Sequence, residues 1–357
     1  MRRHVRTVVV IGLAVGLMAF FLRNANLGRV AAAITGARVD LLAGSLGATL
    51  MMYVVRVIRW RVLLEPVGSV RFSPAFRATV MGFAASALLP GRVGEFLRPY
   101  VLARREGLSA SATFGTIVLE RLLDVVSVML LFGAAVAFSE PARGGDPTLL
   151  GAVRLSAAGF GLGAGVVLVL AFLAAGDSDR VERVIDRAGA VLPERMARAV
   201  GGVSRRFVEG LGTLRRARTL FGAFAWSLVL WALIGGALWL ASAGFGIALP
   251  LSGAATLLVL VAIGVAVPTP AGIGGYHAAY QVGATSLYGA SDEAAVGAAL
   301  VLHAISFLPV TVLGVVFMAQ EGVRLGGIGA MAAQTPGRAG TSPAPVDSVS
   351  VQEQDRG

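Results

Sequence analysis

Mostly apolar stretches long enough to cross a bilayer recur along this chain, and two apolar stretches are broken by proline, glycine and charge. Inside hydrocarbon every backbone N–H and C=O must be paired within the chain. Such segments therefore fold as helices, and a break survives only where it is shielded by protein or lines a cavity. The first break reads Leu88-Leu89-Pro90-Gly91-Arg92-Val93-Gly94-Glu95-Phe96-Leu97-Arg98, the second Pro268-Thr269-Pro270-Ala271-Gly272-Ile273-Gly274-Gly275. Interrupted apolar segments in corresponding halves of a chain point to a transporter-type binding site.

Composition supports a membrane protein. Of 357 residues, 56% are hydrophobic and 14% charged, and mean hydropathy is +0.78; soluble proteins carry about 25% charged residues. The sequence contains no cysteine, which excludes a disulfide framework, a thiol nucleophile and a cysteine zinc site. All 31 basic side chains are arginine and the net charge is +11. In a membrane protein that excess reads as loops facing anionic lipid. No basic and aromatic surface motif accompanies it, so nucleic acid is not an expected partner.

The pattern predicts an all-α, polytopic bundle with about six full spans, over 5–22, 40–58, 111–138, 152–175, 221–244 and 294–320. Half-helices over 73–89 and 251–267 end at the two breaks, and a helix resumes over 272–288. No convincing cleavage site follows Leu22, so the first span is read as a retained anchor. Residues 1–324 form one membrane domain, which includes a basic loop over 176–220. A Pro/Ser/Gly-rich tail over 325–357 is expected to be disordered.

The N-terminus, the 56–105 region and the 176–220 loop hold 3, 9 and 10 arginines, against 3 and 1 for the 23–38 and 139–150 loops. The positive-inside rule then places both termini in the cytoplasm. On that topology the triplet 40–58, first break, 111–138 runs opposite to the triplet 221–244, second break, 294–320, the layout of an inverted repeat.

Several polar residues stand out against the apolar background. Pro90 and Gly91 end the first half-helix, and Gly94 permits close backbone approach. Arg92 and Arg98 are fixed cations suited to a phosphate, with Glu95 as counter-ion or proton carrier; the alternative is a satisfied ion cluster at the interface. Glu120, Arg121 and Asp124 fall inside a span, with Arg121 about 15 Å from its start at 1.5 Å per residue. Glu120 and Asp124 share a helix face. Either Arg121 anchors a headgroup or the three form an ion pair that joins helices. His303 lies about 14 Å along the last span, and His277 follows the second break. The two are read as a hydrogen-bonded or titrating pair, or as core residues, because two histidines without a third ligand make a poor metal site. At the second break, Pro268, Pro270, Gly272 and Gly274 are the structural breakers. No P-loop, HExxH, CxxC or serine-elbow motif is found, and no cofactor or metal is expected.

Four motifs, in order, resemble one family. They are Arg56-x-x-Arg59-Trp60-x-x-Leu63-Leu64, Leu89-Pro90-Gly91-Arg92-x-Gly94-Glu95-x-x-Arg98, Glu120-Arg121-x-x-Asp124 and Pro268-x-Pro270-x-Gly272-x-Gly274-Gly275. Over residues 8–320 the chain resembles the lysylphosphatidylglycerol synthase transmembrane family of flippase-like integral membrane proteins. The resemblance implies a flippase-type membrane domain; it does not carry over the synthase activity, which belongs to a separate transferase domain. The chain departs from the family pattern in four places. Ser86 stands where asparagine is frequent, Pro270-Ala271-Gly272 replaces Pro-Gly-Gly, and His277 and His303 replace a glutamate and an arginine, a paired change that implies contact between them.

The expected function is to bind and move an anionic lipid, either a phospholipid or a polyprenyl-phosphate-linked intermediate, across the cytoplasmic membrane. Arg92, Arg98 and Arg121 would hold the headgroup. Two alternatives stand beside it: a membrane transferase using a lipid-linked sugar donor, with Glu95, Glu120 or Asp124 as base, and a non-catalytic accessory protein whose 176–220 loop docks on a cytoplasmic enzyme or anionic lipid. A homo-oligomer is a further possibility.

Overall fold

A computed structural model describes residues 12, 15–19, 21–23, 25–89, 93–137, 155, 159, 162–163, 217–267 and 269–322. All regular elements among them are helical. They are α1 (Leu27–Thr35), α2 (Val39–Leu64), α3 (Phe72–Leu88), α4 (Gly94–Glu106), α5 (Ala110–Ala137), α6 (Ala217–Gly244), α7 (Leu251–Ala266), a 3-10 turn (Pro270–Gly272), α8 (Gly275–Tyr288) and α9 (Asp292–Gln320). The expected spans over 5–22 and 152–175 lie wholly or mostly outside the described residues, as do the 176–220 loop and the tail, and Pro90, Gly91, Arg92 and Pro268 lie outside them too.

Among the described residues, three helices are long and apolar enough to cross a membrane: α2, α6 and α9. Helix α5 has 28 residues, about 42 Å at 1.5 Å per residue, but every 18-residue window within it contains Glu120, Arg121 and Asp124. Its charges are explained by what surrounds them, described below. Two boundaries differ from the sequence reading for physical reasons. Helix α2 runs on to Leu64, past Arg56 and Arg59, because both guanidiniums are buried and paired instead of marking an aqueous end. Helix α8 starts at Gly275, not at residue 272, because Ala271, Gly272 and Gly274 all have positive φ.

The two broken segments fold as two helical hairpins, α3–α4 and α7–α8, that share one device. Just before each break a glycine carbonyl meets a glycine at the start of the returning helix. A Cβ on Gly94 would overlap the Gly82 carbonyl, and a Cβ on Gly275 would overlap the Gly264 carbonyl. Backbones approach this closely only where side chains are absent.

Around the hairpins, α2 pairs with α6 along its length; Ser45 Oγ donates to the Ala237 carbonyl at 2.8 Å. Helix α9 lies on α3, where Gly314 fits against Ala84 and the Val80 carbonyl. One apolar core joins α1, α6, α7, α8 and α9 around Leu257, Tyr280 and Val296. A second gathers α2, α3, α4, α5 and α6 around Trp60, Leu63 and Leu102. Helix α3 also reaches the 3-10 turn, and α5 reaches α7, so the two hairpins face each other.

Candidate functional site

Three helices, α2, α4 and α5, bring six charges together beside the first hairpin. Glu120 sits at the eleventh position of α5, and its Oε1 gathers four guanidiniums: Arg98 Nη1 at 2.9 Å, Arg59 Nη2 and Arg121 Nη2 at 3.1 Å each, and Arg56 Nη1 at 3.6 Å. Asp124, one turn on, takes Arg59 Nη1 at 2.5 Å on Oδ1 and Arg121 Nη1 at 3.3 Å on Oδ2. Helix α6 completes the network: Trp231 Nε1 donates to Asp124 Oδ1 at 3.1 Å, and Ser227 Oγ accepts from Arg59 Nη1 at 2.9 Å. Ser227 passes its own hydrogen to the Ala223 carbonyl.

Aromatic faces hold two of the cations. The Arg98 guanidinium lies 3.8 Å from the Trp60 ring centroid, and that of Arg56 lies 4.9 Å from Phe83. Trp60 is itself fixed by its Nε1–H to Thr116 Oγ1 at 3.0 Å. Such cation–π placement is strongest where water is excluded.

Four guanidiniums face two carboxylates, so the cluster carries two excess positive charges. Glu95 on the neighbouring wall reduces the excess to one. Burial of uncompensated charge is costly unless a counter-charge arrives. Glu120, Arg59, Arg98 and Arg56 are all nearly inaccessible, whereas the Arg121 side chain is 38% exposed. Buried Arg98 Nη2 and Nε make no hydrogen bond to described residues.

Arg121 and Arg98 open onto a cavity of about 170 Å3. One wall is the first hairpin, with Gly82, Ser86, Leu89, Gly94 and Glu95. The other is the second break, with Val265, Val267, Thr269, Ala271 and Gly272, and Phe307 of α9 closes the side. Helices α4 and α8 both begin at breaks that border this space, and helix N-termini favour anions.

Of the residues singled out in the sequence, the structure brings Gly94, Glu95, Arg98, Arg121 and Gly272 to the cavity, with Glu120 and Asp124 behind it as counter-ions. His277 and His303 do not line it. They stand behind the second break with ring centroids 4.5 Å apart. Pro270 opens the 3-10 turn, and the Gly274 N–H donates to His277 Nδ1 at 3.4 Å. Arg56, Arg59, Trp60, Ser227 and Trp231 escaped notice as site residues. Their signal was present: Arg56, Arg59 and Trp60 are spaced to share a helix face, but they read as the end of a span.

These features define a helical membrane protein with two opposed broken hairpins around a cation-lined cavity. A family profile described as the lysylphosphatidylglycerol synthase TM region matches residues 7–314. The chain belongs to that family. It is also similar to a protein named Glycosyltransferase AglD from Haloferax volcanii, at 27% identity over 335 residues, covering 87% of this chain and 53% of the relative. The chain thus spans about half the length of that relative.

Proposed function

We propose that this protein binds the phosphate headgroup of an anionic lipid, or of a polyprenyl-phosphate-linked intermediate, in the cavity between its two breaks and moves it across the cell membrane. The observation that carries the proposal is the meeting of Arg121 and Arg98 with both breaks at one space. A phosphate there would receive planar guanidinium donors and the positive ends of two helices while offsetting the excess charge of the cluster. The closing of both hairpins by a glycine pair supports reading the halves as an inverted repeat that rocks about this site, with both termini cytoplasmic. Arg56, Arg59 and Arg98 are buried in the cluster and not in loops, so the orientation rests on the arginines at the N-terminus and in the 176–220 loop.

Reconstitution into liposomes with a fluorescent anionic phospholipid tests the proposal. Wild type should accelerate exchange between leaflets and Arg121→Gln should reduce it; equal rates for the two proteins and for empty liposomes would refute transport.

A second reading draws on the name of the Haloferax volcanii relative and on Glu95 at the cavity wall. In it the chain serves glycolipid assembly as a membrane transferase or its accessory, with Glu95 as base. Sugar transfer from a lipid-linked donor by the purified protein, lost in Glu95→Gln, would favour it.

A further inference from the structure

The second break is held in a conformation its sequence does not favour. Ala271 has φ 52° and ψ 15°, and among the described residues it alone combines a side chain with positive φ. Gly272 follows at φ 69°, and the Ile273 N–H donates to the Pro270 carbonyl at 3.0 Å. Two left-handed central residues under such a bond make a type I′ turn, which favours glycine, asparagine or aspartate at both positions. Alanine suffers the Cβ clash that makes left-handed backbone costly.

Two histidines from different helices grip this turn. His303 Nε2 lies 3.0 Å from the Ala271 carbonyl oxygen. A carbonyl only accepts, so Nε2 carries the hydrogen. His277 Nδ1 accepts from the Gly274 N–H at 3.4 Å. The His303 ring is fixed by its neighbours: it stacks on Phe307 with centroids 4.4 Å apart and planes at 22°, meets Tyr276 edge-on at 5.1 Å, and lies 4.5 Å from His277. Ala271 and Phe307 both line the cavity.

We infer that His303 is a positioning residue: its Nε2–H latches the strained turn at Ala271 against the cavity, and release of that hydrogen bond lets the turn relax and the wall open. His277 accepts from the adjoining Gly274 N–H at the start of α8. The inference concerns the geometry of the wall and holds whatever the cavity binds.

The absence of native cysteine makes the test direct. Ser86→Cys places a single thiol on the opposite cavity wall, and its rate of modification by sulfonatoethyl methanethiosulfonate reports access. In this background His303→Phe, which keeps the aromatic stack and removes the donor, should raise the rate about fivefold, as loss of roughly 1 kcal/mol of closure would. His303→Gln, which retains an N–H donor, should stay close to the parent. Adding Ala271→Gly to His303→Phe should bring the rate most of the way back, because a relaxed turn no longer needs the latch. A rate for His303→Phe equal to the parent, or no rescue by Ala271→Gly, overturns the inference. Thermal unfolding of Ala271→Gly alone needs no His303 variant: a raised midpoint is expected from relief of the turn, and an unchanged or lowered one removes the premise.

Discussion

The two hairpins share a scaffold and differ in chemistry. Both turn back at a glycine pair, Gly82 with Gly94 and Gly264 with Gly275, and both border the same cavity. Behind the first hairpin stands an ionic network across α2, α4, α5 and α6. Behind the second stand Phe21, Tyr276, His277, His303 and Phe307, an aromatic cluster that touches the break through its backbone. Among the described residues that line the cavity, the cations Arg98 and Arg121 both come from the first half, and the second break supplies a shaped wall. On the proposed function, charge on one side of the cavity only would hold an anion without surrounding it, which leaves a route for its departure.

The comparison breaks first at Glu120. Its carboxylate is the shared partner of four guanidiniums, so Glu120→Gln leaves buried cations with Asp124 alone and should cost about 3–5 kcal/mol. Loss of monodisperse protein in detergent, or a large fall in the unfolding midpoint, is expected. A near-normal midpoint would show that the cluster is hydrated or externally neutralised.

The glycine pairs come next and sharpen the likeness. Gly94→Ala and Gly264→Ala each drive a methyl into the carbonyl of the facing helix, and each should cost about 1–3 kcal/mol by overpacking. Similar losses in the two halves are predicted from thermal unfolding. A loss in one half only would mean that the other hairpin yields to the added methyl.

Ser227→Ala should cost about 1–3 kcal/mol, the desolvation penalty of leaving Arg59 Nη1 with one fewer partner. Urea or heat unfolding read beside Ser252→Ala, on α7 and away from the ionic network, separates this from a general helix effect.

Arg121→Gln should be mildest for stability, within about 1 kcal/mol, because its side chain is 38% exposed and its ion pairs are screened. Retained stability with altered ligand binding marks it as a binding residue; a loss as large as that of Glu120→Gln would make it a structural one.

Much of the helical frame was legible in the sequence. The start of α7 and the end of α9 follow from apolar runs, and α5 was read as a span from its long apolar run despite Glu120, Arg121 and Asp124. The partners of those charges were not legible. Arg56 and Arg59 lie at the end of an apolar run, where arginine ordinarily faces water, and only the approach of α4, α5 and α6 buries them. Trp231 lies within an apolar span, and only the approach of α5 brings Asp124 within reach of its N–H. At the second break, sequence spacing showed where the helix would stop, but not the left-handed backbone of Ala271, whose carbonyl meets His303 Nε2, 32 residues away, at 3.0 Å. Local propensity argues against alanine there, and tertiary contacts decide the outcome.

The most direct test of the central account is native mass spectrometry of the detergent-purified protein, wild type beside Arg121→Gln, after incubation with anionic and zwitterionic phospholipids and a polyprenyl phosphate. The account predicts an anionic lipid retained by wild type in preference to the zwitterionic one and lost from the folded variant. Equal retention of all lipids by both proteins would contradict it and leave the arginines as the internal ties of a helical bundle.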